Sequence, residues 1–316
     1  MKRRILGAIS LALVVAILGP GPEAAAQAAR ELIADRHFRQ GFVLLEPKPG
    51  KQVPYATIPG WEKEAGPVWR LAQWSSKFPL RAIAPERVGG GAMRYGNDAK
   101  SVTLGAPETE HADVAFRVNA MAEYGARARQ KGEPWVHLLV EQAFERPPPL
   151  TELRSARLHV EARLLRCVRA AMGGYSPHLH AAQFQIFLTV QNLNRQSPGY
   201  GRYLWFGVPI YDDRRRIPQE HKTLDTGGTG MFIFSPRGDA YCSESAHDGG
   251  WVTIRRDILP LLLEALETAW SRGFLAESRD ASDYRISGIN LGWELPGTFD
   301  AEMRVRNLSL VVNTAR

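Results

Sequence analysis

Cysteine is scarce in this chain, and long runs of positive charge are missing. The 316 residues include only Cys167 and Cys242, too few for a small scaffold held together by several disulfides. Sequence spacing does not show whether these two thiols lie close enough to bond. Lysine and arginine number 40 but form no long tract, so the sequence does not indicate a nucleic-acid partner.

Two kinds of catalytic motif are also missing. The chain has no G-x-S-x-G nucleophile elbow of the kind that α/β-hydrolases carry. Its glycine-rich stretches, "VGGGA" at 88–92 and "TGGTG" at 226–230, lack the Lys-Ser/Thr pair of a phosphate-binding loop and the strand–helix context of a dinucleotide site. Both stretches are therefore interpreted as glycine turns.

A long apolar run occurs only at the N-terminus. Basic residues at positions 2–4 precede an apolar run over 5–18 and then small residues, which is the layout of a secretory signal peptide. We expect residues 1–28 to be cleaved after Ala26 or Ala28, a retained anchor being the alternative. The product would be secreted or periplasmic, without a membrane span.

The charge that remains is mildly basic. The full chain has a formal charge of +7; residues 1–28 carry three basic and one acidic side chain, so the remainder carries +5. A basic exported protein favours acidic ligands such as uronic or sulfated glycans, although charge alone does not identify a partner.

Period-two alternation is the dominant pattern of the rest of the chain. In "QFQIFLTVQ", Phe184, Ile186, Leu188 and Val190 fall on one side and glutamines on the other. Similar stretches begin near residues 114, 136, 157, 203 and 288, and such alternation predicts strands with one buried and one wet face. We predict a single mainly β domain over 29–316, an antiparallel sandwich. Whether 29–110 form an N-terminal extension or subdomain stays open.

One segment has a helical pattern instead. "DILPLLLEALETAWSRG" predicts a helix over 257–273, with Asp257 as N-cap, Pro260 in the first turn and Gly273 at the end. Its apolar stripe comprises Leu262, Leu263, Leu266, Ala269 and Trp270. We expect this single helix to pack on the sandwich.

The outward faces of the predicted strands combine flat aromatic rings with planar hydrogen-bonding groups. The candidate ligand-binding residues are Arg117, Asn119, Glu123, Trp135, His137, His159, Arg163, Gln183, Gln185, Trp205 and Tyr211. Sugars use rings to cover their C–H faces and amide, carboxylate or guanidinium groups for their hydroxyls. If the strands share one sheet, these side chains form a saccharide-binding surface. The alternative is an ordinary solvated sheet face.

From Asp113 to its end the chain resembles, at the level of fold, the carbohydrate-binding and carbohydrate-active jelly-roll β-sandwich proteins, concanavalin-like or galactose-binding-like. The resemblance is carried by the strand pattern, the outward residues and the closing "GWELPGTFDAEMRVRNLSL". It implies an antiparallel jelly roll with one packed helix and an oligo- or polysaccharide partner. It includes no family-specific motif and fixes no residue's role.

Two catalytic mechanisms are alternatives to simple binding. Glycoside hydrolysis needs two carboxyl groups, for which Glu141 and Glu161 are the best pair and Glu123 a third option; cross-strand ion pairs are the competing interpretation. β-Elimination on a uronic polysaccharide needs a base such as Tyr203, His159 or His180. It also needs a partner for the uronate carboxyl, such as Arg117, Gln183 or Gln185. Alginate-lyase-like families carry a Gln-Ile-His strand motif, whereas this chain has "QFQIF".

Metal chemistry is the weaker alternative. His178 and His180 alternate like ligands on one side of a strand, but a cupin-like glutamate after the second histidine is missing. We expect no metal or cofactor in the site, with structural calcium at Asp212 and Asp213 as an option. The sequence thus predicts an exported saccharide-binding protein; a hydrolase or lyase on the same face and an envelope protein-interaction domain are the alternatives.

Overall fold

The structure, a computed structural model, describes residues 28–50, 52–109, 113–125 and 127–314. The expected signal segment therefore lies outside the described residues, apart from Ala28. Within them, the strands assemble into two sheets. Sheet A contains β1 (Ala28–Glu31), β5 (Glu86–Arg87), β6 (Met93–Gly96), β7 (Lys100–Leu104), β8 (Val114–Asn119), β10 (Leu153–Arg169), β15 (Trp251–Asp257) and β17 (Phe299–Thr314). Sheet B contains β2 (Gly41–Leu45), β3 (Pro54–Pro59), β4 (Trp69–Ala72), β9 (Val136–Ala143), β11 (Gln183–Asn192), β12 (Tyr203–Asp212), β13 (His221–Leu224), β14 (Phe232–Ser235) and β16 (Tyr284–Leu295).

The order of the strands is far from their order in the sequence. Sheet A runs β15-β10-β17-β8-β7-β6-β5, with β1 also paired to β17, and sheet B runs β13-β14-β12-β11-β16-β9-β4-β2-β3. Most neighbours are antiparallel, but β2 with β4 and β12 with β14 are parallel. The predicted mainly β sandwich is confirmed, with the correction that sheet B is mixed.

The core lies between the two sheets and is rich in aromatic rings. Phe184 of β11 contacts Trp293 of β16 and Phe116 of β8, with ring centroids 5.0 and 6.3 Å apart. The indole of Trp293 also donates a 2.9 Å hydrogen bond to the carbonyl oxygen of Phe116, across the interface between the sheets. Each such buried side chain contributes roughly 1.5–3 kcal/mol to folding, so the inward halves of the alternating strands hold the sandwich together.

The predicted helix is α2 (Leu259–Ser271), which follows the one-turn helix α1 (Ala120–Glu123) in the chain. Ile258 occupies the N-cap position, but the Asp257 carboxylate accepts hydrogen bonds from the N–H groups of Leu259 and Ala156. Most of the predicted stripe is buried against the sandwich, whereas Leu263 is 38% exposed. The prediction that Leu263 is buried was wrong, because this residue lies at the edge of the apolar side of the helix.

The N-terminal strands belong to both sheets. β2, β3 and β4 continue sheet B beyond β9, while β5, β6 and β7 continue sheet A beyond β8. Each sheet therefore has a wide outer face, which is the side turned away from the core and the place where the site residues are sought.

Cys167 and Cys242 are not bonded to each other. Among the described helices none is long and apolar enough to cross a membrane.

Candidate functional site

The candidate residues that were expected on one surface lie on the outer faces of two different sheets. Strands β8 and β10 both pair with β17 in sheet A, whereas β9 and β11 both pair with β16 in sheet B. Sheet A carries Arg117, Asn119, His159, Glu161 and Arg163; sheet B carries His137, Glu141, Gln183, Gln185, Tyr203 and Trp205, with Trp135 just before β9. The expectation of a single shared surface is therefore wrong, because alternation shows which side of a strand is polar but not which sheet the strand joins.

Glu123 does not lie on any surface. Strand β8 ends at Asn119, and Glu123 falls in α1, where its side chain is 1% exposed. Its carboxylate is paired with the buried ammonium of Lys100 and accepts 2.7 Å hydrogen bonds from the Ser76 hydroxyl and the Lys77 N–H. Removing one partner from a buried, fully bonded ion pair is strongly destabilising, so Glu123 has a structural role and its ligand-binding prediction is corrected.

Tyr211 also points inward, contrary to the alternation of β12. The register between β11 and β12 shifts after the Phe184–Tyr211 pair, since Gln185 is opposite Pro209. A bulge of this kind turns the following side chains to the other face of the sheet. Tyr211 is consequently buried, with its ring 6.1 Å from Trp293. Strict alternation could not predict it.

Glu161 forms the cross-strand ion pair that was the alternative to catalysis. Its carboxylate accepts bonds of 2.7 Å from Arg306 and 2.9 Å from the Asn307 amide. Burial raises the pKa of Glu161, but these two hydrogen bonds outweigh it and hold the pKa below its usual 4.5. Because Glu141 belongs to sheet B, the structure does not bring the proposed carboxyl pair together.

The two histidines before β11 do not form a strand-borne metal site. The strand begins only at Gln183, and His180 is 1% exposed. Its Nδ1 accepts a bond from the Ser176 N–H, and its Nε2 lies 2.7 Å from the carbonyl oxygen of Arg129. His178 is exposed in a turn, so the pair does not share one direction. No group of three or more His, Cys, Asp or Glu in the described part of the chain is arranged to hold a metal.

An aromatic cluster lies on the outer face of sheet B. The ring centroid of Trp205 is 5.2 Å from that of Tyr203 and 5.9 Å from that of Phe187. The Trp205 indole donates a 3.0 Å hydrogen bond to the Thr229 hydroxyl, which belongs to the glycine turn at 226–230. This turn therefore borders the cluster, and the three rings remain half-buried, in partial contact with solvent. Thr229 was not predicted as a site residue, because the sequence indicates a turn there but does not show that this turn lies against Trp205.

A polar row runs beside the aromatic cluster across three strands. The register places Glu141 opposite Asn290 and Asn290 opposite Phe187. The Glu141 side chain is 15% exposed, with its Oε1 3.8 Å from Nε of Arg70; burial raises the pKa of this carboxyl, and Arg70 offsets the rise only in part. The buried Oδ1 of Asn290 has no hydrogen-bond partner within the described residues, which is costly unless a ligand or water supplies one.

Neighbouring rows add further polar groups to the same face. Gln185 is largely buried, and the Gln183 amide donates a 3.1 Å bond to Asp212. Glu294 lies opposite both His137 and Gln183, and its Oε2 is 4.0 Å from Nε2 of His137. Asn290 and Glu294 were missed as site residues, although they alternate with the inward Leu291 and Trp293 and could have been found by that signal.

The carboxylates considered for calcium are already hydrogen-bonded. Asp212 accepts two bonds from the Arg214 guanidinium, at 2.8 and 2.6 Å, besides the one from Gln183. Asp213 accepts a 2.7 Å bond from the N–H of Ala182. These contacts fix the end of β12 against the start of β11.

Comparisons with known proteins give structural similarity alone. No family model and no curated protein matches the chain. Among solved structures, it is similar to a cellulase derived from the Rhodothermus marinus enzyme (14% identity, 77% of this chain and 99% of the other, TM-score 0.39). It is also similar to a family 12 xyloglucanase from Bacillus licheniformis (9%, 77% and 99%, 0.39) and a family 11 xylanase from Neocallimastix patriciarum (10%, 74% and 98%, 0.37). Scores and identities this low assign no activity to the chain.

Proposed function

We propose that this chain is an exported saccharide-binding protein whose binding surface is the outer face of sheet B. The observation that carries the proposal is the placement of a half-buried aromatic cluster beside the buried amide oxygen of Asn290, for which the described part of the chain supplies no hydrogen-bond partner. A pyranose presents both an apolar C–H face and several hydroxyl groups. Rings such as Trp205 would cover the former, and the oxygen of Asn290 would accept a hydrogen bond from the latter.

The arrangement of the carboxyl groups is the reason to prefer binding over hydrolysis. Because Glu161 lies in sheet A, a catalytic pair that includes Glu141 would need another carboxyl on the outer face of sheet B. Glu294 is the candidate, since it lies on that face. Glu294 is opposite His137, four residues from Glu141 along β9, which is about 13 Å between backbone positions. Catalytic carboxyls lie roughly 5–10 Å apart, so the two side chains would have to lean toward each other.

Hydrolysis nevertheless stays the second candidate because of the environment of Glu141. A general acid in glycoside cleavage must hold its proton near neutral pH, and burial raises the pKa of Glu141 in that direction. Elimination receives less support. Burial raises the pKa of Tyr203 as well, so less of it is present as the phenolate that would take up the proton. Two further groups considered for that chemistry, Arg117 and His159, lie in sheet A.

The test is a panel of neutral and acidic polysaccharides offered to the full mature protein. Retention would be followed by affinity electrophoresis, and products by reducing ends and by the absorbance of unsaturated sugars. The proposal predicts retention without turnover. New reducing ends that disappear in Glu141→Gln would establish the hydrolase instead. The absence of retention by any glycan would refute both and leave a protein-interaction domain.

A further inference from the structure

A separate cavity of about 550 Å³ opens on the outer face of sheet A. Its floor consists of short side chains, Ser101, Thr103 and Ala115, and a wall is formed by the glycine turn at 88–92. Its charged lining comprises Arg94, Arg117, Arg166, Arg304 and Glu302. The turn joins β5 to β6, and these strands extend sheet A and help to shape the cavity.

The strand register explains why a cavity forms here. Reading across the sheet, Arg94 is opposite Thr103, Thr103 opposite Ala115, and Ala115 opposite Arg304. Three strand intervals separate the two arginines, about 14 Å between backbone positions. Two long side chains thus flank two short ones, which leaves a depression with room for a sugar-sized molecule.

The next row holds two guanidinium groups in fixed positions. Arg117 and Arg166 lie on either side of Glu302 in the register. Asp300 accepts bonds from Arg117 at 2.9 and 3.0 Å and from Arg166 at 2.6 Å. Shared pairing of this kind limits the rotation of both groups, so less conformational entropy is lost when they receive a ligand.

The charge around the cavity remains positive after these pairs are counted. Four arginines line it, and Arg304 has an interaction of its own. Without Arg304, three arginines remain against Glu302 in the lining and Asp300 beside it. Glu86 also approaches Arg94 at 3.6 Å, but its side chain is 67% exposed, and an ion pair this exposed is weak in water. The balance therefore favours an anionic ligand.

The lining also restricts the kind of anion. Among the described residues, none that lines the cavity is aromatic, so they give a nucleobase or an aromatic side chain no ring to stack on. The floor offers the hydroxyls of Ser101 and Thr103, and the turn brings the peptide group of Gly89 to the wall. Guanidinium forks bind carboxylate and sulfate-like groups in pairs of hydrogen bonds. Hydroxyl and peptide groups suit a hydroxylated ligand.

We propose that this cavity binds an acidic sugar, through the carboxylate of a uronic acid or a sulfate ester, at a site separate from the outer face of sheet B. Arg94 and Arg117 receive the anionic group, and the hydroxyls of the floor contact the ring. The cavity and the aromatic cluster lie on opposite sides of the core, so either site is able to exist without the other.

Calorimetric titration of the full mature protein tests the proposal, with digalacturonate, a sulfated chondroitin disaccharide, cellobiose and inorganic sulfate as probes. We expect at least one acidic disaccharide to bind, weakening as salt rises, and cellobiose not to use this site. Arg94→Gln should weaken acidic binding at least tenfold. Thr103→Tyr, which fills the floor without changing charge, should abolish it, while Trp205→Ala on sheet B should leave it unchanged.

The matched control is Arg255→Gln, which removes the same charge from the outer face of sheet A outside the cavity. It should change acidic binding by less than twofold, and thermal unfolding should verify that every variant is folded. The proposal is overturned if neither acidic disaccharide binds at millimolar concentration. Equal losses in Arg94→Gln and Arg255→Gln would show diffuse attraction rather than a site. Inorganic sulfate binding as tightly as the sugars would refute the saccharide part.

Discussion

The two outer faces of the sandwich differ in chemistry although they are built by the same alternation. On sheet A, carboxylates such as Asp300 and Glu161 are bonded to arginines. On sheet B, Glu141 lies 3.8 Å from its arginine and is opposite Asn290, whose amide oxygen has no partner in the part of the chain that the structure describes. A face that satisfies its own charges is ordered before a ligand arrives, whereas unsatisfied groups gain from binding. This difference supports the two proposals, an anion-selective site on sheet A and a site for sugar hydroxyls on sheet B.

The largest effect is expected from a residue that belongs to neither face. Glu123→Ala would leave Lys100 buried without its counter-charge, which costs about 3–5 kcal/mol. Both faces should then lose their ligands together, because β7 and the α1 segment that follows β8 would no longer be held. Denaturant unfolding with both classes of ligand measures this. Glu133→Ala, in an exposed pair with Arg127, is the control and should leave the midpoint nearly unchanged; an equally stable Glu123→Ala would contradict the buried-pair interpretation.

The next largest effect separates the two faces directly. Trp205→Ala should weaken binding of a neutral oligosaccharide at least tenfold, or about 1.4 kcal/mol, because it removes the central ring of the aromatic cluster. Trp251→Ala is the matched control, since Trp251 lies on sheet A with the Arg306 guanidinium 3.9 Å from its ring centroid. Neutral binding that falls equally in both variants would mean that the cluster on sheet B is not the site. Affinity electrophoresis in the same neutral glycan measures both.

Asn290 provides a finer test of the same surface. Asn290→Asp keeps the size of the side chain but places a second carboxylate opposite Glu141, so the two would repel each other. Neutral saccharide binding should fall severalfold, with a smaller change at low pH, where carboxyls are protonated. Titrations at two pH values measure this. Asn313→Asp, on β17 of sheet A, is the control; the same loss in both variants would remove Asn290 from the site.

The sequence predicts the inward half of each strand well and the assembly of strands poorly. Phe184, Ile186 and Leu188 are buried as the alternation requires, since period two is a local property of the chain. The separation of Glu141 from Glu161 depends on which strands pair, and in both cases the shared partner, β16 or β17, lies more than a hundred residues away. The inward turn of Tyr211 depends on a bulge that leaves no local signal. Asn290 and Glu294, by contrast, could have been predicted from the sequence, because alternation alone places them on the outward side of their strand.

The two faces should also respond to pH with opposite sign. Burial raises the pKa of Asp300, but hydrogen bonds from Arg117 and Arg166 outweigh it and hold the pKa below its usual 3.8. A lowered pKa stabilises the fold above pH 3.8, and this stability is lost as pH falls through the folded value. Glu141 has a raised pKa, so its contribution is present below pH 4.5 and is lost as pH rises through the folded value.

Substitution should therefore remove a different part of the pH profile from each face. Asp300→Asn should flatten the acid side of the thermal unfolding curve, and Glu141→Gln should flatten the side above pH 4.5. These shifts will be smaller than the effect of Glu123→Ala, because each involves one partly hydrated carboxyl. Thermal unfolding from pH 2.5 to 8 measures both, and each variant serves as the control for the other. If the two variants changed the same pH range, the contrast between a self-paired face and an unsatisfied face would be wrong.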